Sequence, residues 1–533
     1  MTCAWRVLAT AAAMLPAGGC GDPAPAAAQR GVRTEEERMQ QDLQEAERGR
    51  DRTEAEQPAD VLLPVPADPT VSFSVSFGVG SQDDPAGKEG LAYLTGSMLA
   101  EAATERHSFE QILEALYPLA SAYEVRVDKE RTTLTGRTHR DNLDRFVPLF
   151  TDAYLRPAFD ARDFERLKSD AVNDIENTLR YSSDEELAKA ALYRFVFGGT
   201  RYAHPPEGTA GGLRSVTLGD VRDFYRRHYG GDAVLIGLGG GFDDALARRL
   251  AETKRSLPAG RAAEPPGIAL PPIKGLDVLL IDKPGADASI SFGFPLDVRR
   301  GEPDFYALSI ANSWLGEHRN QASHLFQVIR ETRGLNYGDY SYIEAFPEGG
   351  ERAMPPVNVP RRRPLFEVWI RTLPNEQAHF ALRAAMRELE RLAQHGMTRE
   401  DFELTRSFLK KYVLHFADTT ARRLGYAVDD RFYGLTGEGH LERFRRMMDE
   451  LTLDEVNAAV ARHLRAKDLK ISIVTGAAES LAKALAEDAP SPISYATAKP
   501  RNVLDEDREI ERYPLRIDAE DIVVVAVEEA FEH

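Results

Sequence analysis

Cysteine is nearly absent from this sequence. Only Cys3 and Cys20 occur, both within the first twenty of 533 residues. The rest of the chain therefore holds no disulfide framework and no thiolate metal site. Histidine is present twelve times, yet no two histidines are four residues apart, and the nearest pair, His318 and His324, is six apart. That spacing excludes a zinc grip made by two histidines on one helix face. Beyond residue 20 no apolar run approaches the ~20 residues of a membrane span. Excess positive charge is also missing. Asp and Glu number 85 against 67 Lys and Arg, a formal charge of −18, which repels nucleic-acid backbones. No P-loop, haem or catalytic-triad motif is found.

What is present reads as a globular chain with an export signal. Hydrophobic residues make up 43% and charged residues 29%, a folded rather than a disordered composition. The length allows about three domains. Val7 to Ala17 is an apolar stretch of signal-peptide length after a short, weakly basic start, so residues 1–19 are expected to be a signal peptide. Ala17-Gly18-Gly19-Cys20 is similar to a bacterial lipobox, with Ala17 where leucine is usual. Cys20 is then the expected lipidation site, and the mature chain a membrane-anchored periplasmic lipoprotein. Residues 20–60, rich in Ala, Pro, Gln, Glu and Arg, suit a solvated tether.

From Val61 onward the chain repeats itself. Thr217 to Val221 followed by Arg227-His228 matches Thr452 to Val456 followed by Arg462-His463, and a short apolar strand follows each. Asp163-Phe164-Glu165 matches Asp401-Phe402-Glu403, and the alternating run Val71 to Phe77 matches Ser289 to Phe294. The order and spacing predict two α+β domains of similar fold, over 61–253 and 276–485. A proline-punctuated linker, 254–275, joins them, and a C-terminal extension, 486–533, holds one more strand at Ile522 to Val527. A cavity between two such halves is the default place for a ligand.

Several stretches resemble the insulinase-like zinc metallopeptidases, the family of pitrilysin and the mitochondrial processing peptidase. They are Asp282 to Ala286, Phe305 to Leu308, His324-Leu325-Phe326, Ile329-Arg330-Glu331 and Arg333 to Tyr337, with Pro205 to Thr209 and Phe224 to Tyr229 in the first half. The resemblance covers roughly residues 65–480. It implies an α+β fold of two duplicated sandwich domains, each an antiparallel sheet with helices, closing as a clamshell around a chamber.

The family's metal site is His-x-x-Glu-His on a helix, with a distal Glu about 75 residues later. Two histidines four apart can grip one zinc, and the intervening Glu serves as base. Here the corresponding positions read Tyr93, Leu94, Thr95, Gly96, Ser97, and the distal position falls at Asp174, beside Asn173 and Glu176. Both histidines and the glutamate are missing, so no metal is expected in this chain. The family's second motif, an arginine and a tyrosine seven residues apart that contact the substrate carbonyl, is present as Arg330 and Tyr337. A guanidinium and a phenol can both donate hydrogen bonds to an oxyanion. The structural alternative places Arg330 at a helix end and Tyr337 at a strand start.

Other features are weaker. Gly237 to Gly241 reads as a turn, Arg361-Arg362-Arg363 as a solvated loop able to touch an acidic partner, and His204-Pro205 as a loop former. The resemblance implies a precedent in which one chain carries the zinc motif and another supplies the arginine and tyrosine. The expectation is a non-catalytic subunit of a heterodimeric peptidase. Its partner would be a zinc-bearing homologue, with zinc in that partner, a peptide as substrate, and no activity alone. The alternatives are a scaffold or peptide-binding protein of the same ancestry, and an independent hydrolase with an unfamiliar site.

Overall fold

The computed structural model describes residues 60–259, 268, 270 and 272–533. The expected signal peptide, Cys20, the tether through residue 59 and most of the proline-rich linker lie outside the described residues. The first half runs β1 (Val61–Pro64), β2 (Thr70–Phe77), α1 (Leu91–Ala100), α2 (Phe109–Leu116), β3 (Ala122–Val127), β4 (Thr132–His139), α3 (Leu143–Leu155), α4 (Ala161–Asn173), α5 (Asp184–Val196), α6 (Ala210–Ser215), α7 (Leu218–His228), β5 (Val234–Gly240) and α8 (Asp244–Thr253). The second runs β6 (Leu276–Asp282), β7 (Ala288–Pro295), α9 (Pro303–Gly316), β8 (Asp339–Tyr342), β9 (Leu365–Leu373), α10 (Ala378–His395), α11 (Arg399–Phe416), α12 (Thr420–Phe432), α13 (His440–Glu450), α14 (Leu453–His463), β10 (Leu469–Thr475) and α15 (Ala478–Ala486). The extension adds α16 (Arg501–Ile510) and β11 (Ile522–Ala526).

The duplication is visible in the sheets. The first has strand order β1-β5-β2-β4-β3, and the second repeats it as β6-β10-β7-β9-β8 with β11 added outside β6. Helices α7 and α14, each of 11 residues, begin alike: Thr217 and Thr452 accept from the amides of Asp220 and Glu455, whose carboxylates reach back to complete capping boxes. Such boxes satisfy amides that the first helical turn leaves orphaned. Each sheet is antiparallel through its centre, but β1 lies parallel to β5, and β6 parallel to both β10 and β11. Parallel pairing is confined to the end of each sheet that holds its first strand.

Each half covers its own sheet on one face. In the first, Phe73 packs against Phe146 and Phe150 of α3. The opposite faces are covered reciprocally: α5 of the first half lies on β7, β9 and β10, and α12 of the second lies on β1, β2 and β5. Bare glycines make the second contact possible. A Cβ on Gly237 would sit 3.1 Å from Val428, and one on Gly239 would sit 3.2 Å from Thr420. The glycine run expected to be a turn is therefore strand as far as Gly240, kept small so that a helix can approach.

A second tie overturns another expectation. The Arg361–Arg363 run is not a solvated loop. Arg361 is 7% exposed and grips Asp128 in a bidentate pair at 2.6 and 2.9 Å; Arg362 pairs with buried Glu130. The acidic partners sit on the β3–β4 turn of the other half. A cavity of about 590 Å³ opens between the first sheet and α12, lined among others by Ser72, Ser74, Glu124, Thr135, Asn358 and Arg422. The hydroxyls of Ser72 and Ser74 are buried there without a hydrogen-bond partner among the described residues. Among the described residues no helix is long and apolar enough to cross a membrane.

Candidate functional site

Helix α1 carries the positions where the resemblance places a metal. It starts where it does because the buried carboxylate of Asp84 accepts from the amides of Gly90 and Ala92, both at 2.7 Å. A carboxylate at a helix N-terminus satisfies orphaned amides and opposes the helix dipole. Tyr93 is half-buried, and Ser97, one turn on, is buried. Burial and the nearby carboxylates of Glu207, Glu101 and Asp174 push the Tyr93 phenol well above its ordinary range. Ser97 and Asp174 are thus both close to the Tyr93 phenol.

Their chemistry does not fit zinc. A neutral phenol, a hydroxyl and one exposed carboxylate offer no set of soft or anionic donors. The base position is worse. A Cβ on Gly96 would come within 2.5 Å of Val127 on β3, so this face of α1 is pressed onto the sheet and has no room for a glutamate. Among the described residues no group of three His, Cys, Asp or Glu side chains could hold a metal ion. Asp174 opens a π-helical turn, Asp174–Ser182, that continues α4. Glu176 on that turn pairs with Arg214.

Arg330 and Tyr337 meet in the second half. Arg330 sits in a π-helical turn, Phe326–Glu331, capped by Thr332 and followed by Gly334. Gly334 has φ 74°, and its amide donates to the Arg330 carbonyl at 2.7 Å. A left-handed glycine of this kind reverses the chain at a helix end. The reversal brings Tyr337 back over Arg330, with the guanidinium carbon 5.6 Å from the ring centroid. Tyr337 is 78% exposed, and Arg330 forms no ion pair among the described residues. Both donors of the pair are therefore available to a ligand.

The turn is locked from both sides by residues to which the sequence reading gave no role. Arg333 donates to Asp507 and Glu506 of α16 and to the Val328 carbonyl, each at 2.8 Å. Asn336 donates to Asp339 at 2.7 Å. Burial pushes the Asp339 carboxyl up to about 8, against the pull of Asn336, Arg330 and Arg371.

No hydrogen bond or ion pair among the described residues links Arg330 or Tyr337 to Tyr93, Ser97 or Asp174, and none of the five lines the 590 Å³ cavity. His204 is a buried loop residue whose carbonyl accepts from Lys129. His318 and His324 are apart in role: one bonds Tyr342, the other Glu388.

Comparison with known proteins follows this division of the chain. The model described as Insulinase (Peptidase family M16) matches residues 61–209, and that described as Peptidase M16 inactive domain matches residues 215–409. An uncharacterized zinc protease of Mycobacterium tuberculosis is 27% identical over 405 residues, 75% of this chain and 87% of that protein. The non-peptidase homolog YmxG of Helicobacter pylori is 23% identical over 407 residues, again 75% and 87%. The crystal structure of a peptidase M16 inactive domain from Pseudomonas fluorescens superposes with a TM-score of 0.67 at 24% identity, covering 78% of this chain and 95% of that one.

Proposed function

The chain belongs to the insulinase family of M16 peptidases, and from that premise we propose that it is the non-catalytic, substrate-binding subunit of a heterodimeric zinc peptidase. The observation that carries this reading is the Arg330–Tyr337 pair. It is a guanidinium with no ion-pair partner among the described residues, stacked on an exposed phenol, held on a locked turn, in a chain whose metal positions are Tyr93, Gly96 and Ser97. A partner would bring the zinc site, and Arg330 and Tyr337 would donate hydrogen bonds to the peptide carbonyl as negative charge develops on it. The cavity between the halves, with its unpartnered serine hydroxyls, gives a peptide backbone donors and acceptors. Co-purification with a zinc-motif homologue, followed by assay of peptide hydrolysis, tests the reading.

A scaffold role is the second reading. It is favoured by the Arg330–Tyr337 contact itself, since cation–π stacking can stabilise a turn without any ligand.

Metal content separates this subunit from an independent hydrolase. The purified chain alone should hold far less than one zinc per molecule, and the reconstituted pair about one. A stoichiometric zinc in the chain alone, lost in Asp174→Ala, would overturn the assignment.

We further propose that Cys20 anchors the chain to a membrane facing the periplasm. Wild type should partition into detergent with the membrane fraction, and Cys20→Ser should be released. A soluble wild type with residue 20 unmodified would end that proposal.

A further inference from the structure

The segment after β11 leaves its own sheet and seats itself on the first half. The Phe531 and Glu532 carbonyls accept from the amides of Ala210 and Gly211 at 2.9 and 2.7 Å. Phe531 is 2% exposed, held at φ 57°, with the Arg194 guanidinium 5.6 Å from its ring. A non-glycine residue keeps that backbone conformation only where its surroundings impose it. The Glu532 carboxylate is shared by Arg180 at 3.0 Å and Arg214 at 2.7 Å. Arg180 also donates to the Ala530 carbonyl at 2.8 Å, and Arg194 to that of His533. Gly211 is bare where the segment crosses it: a Cβ there would lie 2.7 Å from the Glu532 carbonyl oxygen.

These contacts have the form of peptide recognition. Two amides read the backbone, an enclosed hole takes an aromatic ring, and two arginines read one carboxylate. The seat adjoins the former metal positions. Arg214 holds Glu176, two residues from Asp174, and Glu207, just upstream of α6, lies near Tyr93. Glu532 keeps part of its side chain exposed, so the seat reaches the surface.

We propose that this seat is a recognition site for an extended peptide presenting an aromatic residue followed by an acidic one, and that residues 530–533 are its resident, exchangeable occupant. The proposal does not depend on the role given to Arg330 and Tyr337.

The test uses the full chain with Phe531→Ala and Glu532→Ala, which empties the seat, and a fluorescent peptide of residues 527–533. Anisotropy should report saturable binding to the emptied chain, at least tenfold weaker binding to wild type, and none after a further Arg214→Ala. The same peptide carrying Phe531→Ala or Glu532→Gln should not bind. An emptied chain that melts like wild type but binds no peptide overturns the proposal. Should the double variant not fold, Glu532→Gln decides the matter. It keeps the ring and loses the charge, so the labelled native peptide should displace its own segment, and failure to do so overturns the proposal equally.

Discussion

Exchanging Tyr337 for phenylalanine is expected to cut peptide turnover by the reconstituted pair ~100- to 1000-fold, the usual cost of one lost oxyanion donor. The chain should stay folded. Tyr337 is exposed, so no cavity opens, and phenylalanine keeps a ring face for Arg330 to stack on. Only the hydroxyl is removed. A donor that acts on developing charge should lower kcat and kcat/KM together rather than raise KM alone. Arg330→Lys should also be deficient, because lysine keeps the charge but loses the planar fork. Zinc content of the partner and the stability of the pair should not change. If both variants retain nearly full activity with normal melts, the stacked pair serves only to shape its turn, and the scaffold reading replaces the subunit reading.

Much of this fold is written locally. The alternation in Val71 to Phe77, the Thr-led capping boxes of α7 and α14 and the matched spacing of the following strands all act within ten residues or so, and they reveal the duplication. The interlock of the halves is not local. Gly237 and Gly239 look like turn residues because the reason for their smallness, Val428 and Thr420, belongs to a helix nearly two hundred residues away. The parallel outer strands are hidden for the same reason, since strand periodicity does not tell which way a neighbour runs.

The candidate site divides in the same manner. Arg330, Gly334 and Tyr337 form a short motif whose turn geometry follows from the glycine, so it can be found by spacing. Its support cannot: the Arg333–Asp507 bond spans 174 residues. The Arg361–Arg363 run reads as solvated because a charge run beside prolines usually is. Its complement, the Asp128-Lys129-Glu130 turn, lies 233 residues upstream of Arg361, and nothing in either stretch alone points to the other. The seat of Phe531 was invisible too, since its three arginines are scattered over α5, α6 and the π-helical turn.

Removing either member of the Asp128–Arg361 pair is expected to cost about 3–5 kcal/mol of stability, because it strands the other charge in the interior. The pair is bidentate, and both side chains are almost wholly buried. Arg361 also lies 4.7 Å from the Tyr193 ring of α5, and its amide donates to the Tyr433 hydroxyl at 3.1 Å. It is therefore a fixed point between the halves, unable to swing out to water. Asp128→Ala and Arg361→Leu should each unfold at markedly lower urea concentration than wild type. The double variant should cost less than the sum of the two, since no unpaired charge remains. Acid supplies a second signature. Burial alone would raise the Asp128 carboxyl, but the Arg361 charge and hydrogen bonds outweigh it and hold the group below its ordinary value. Its folded pKa is thus below the unfolded ~3.9, so its contribution is complete above that pH and is lost as pH falls through the folded value. In Arg361→Leu the main counter-charge is gone, leaving only the weaker pull of Arg126 and Lys129, and burial dominates, so Asp128 protonates more readily and relieves the strain. The stability gap between wild type and Arg361→Leu should therefore narrow from pH 7 to pH 4. Additive costs in the double variant, or a gap unchanged by acid, would mean that this contact does not hold the two halves together.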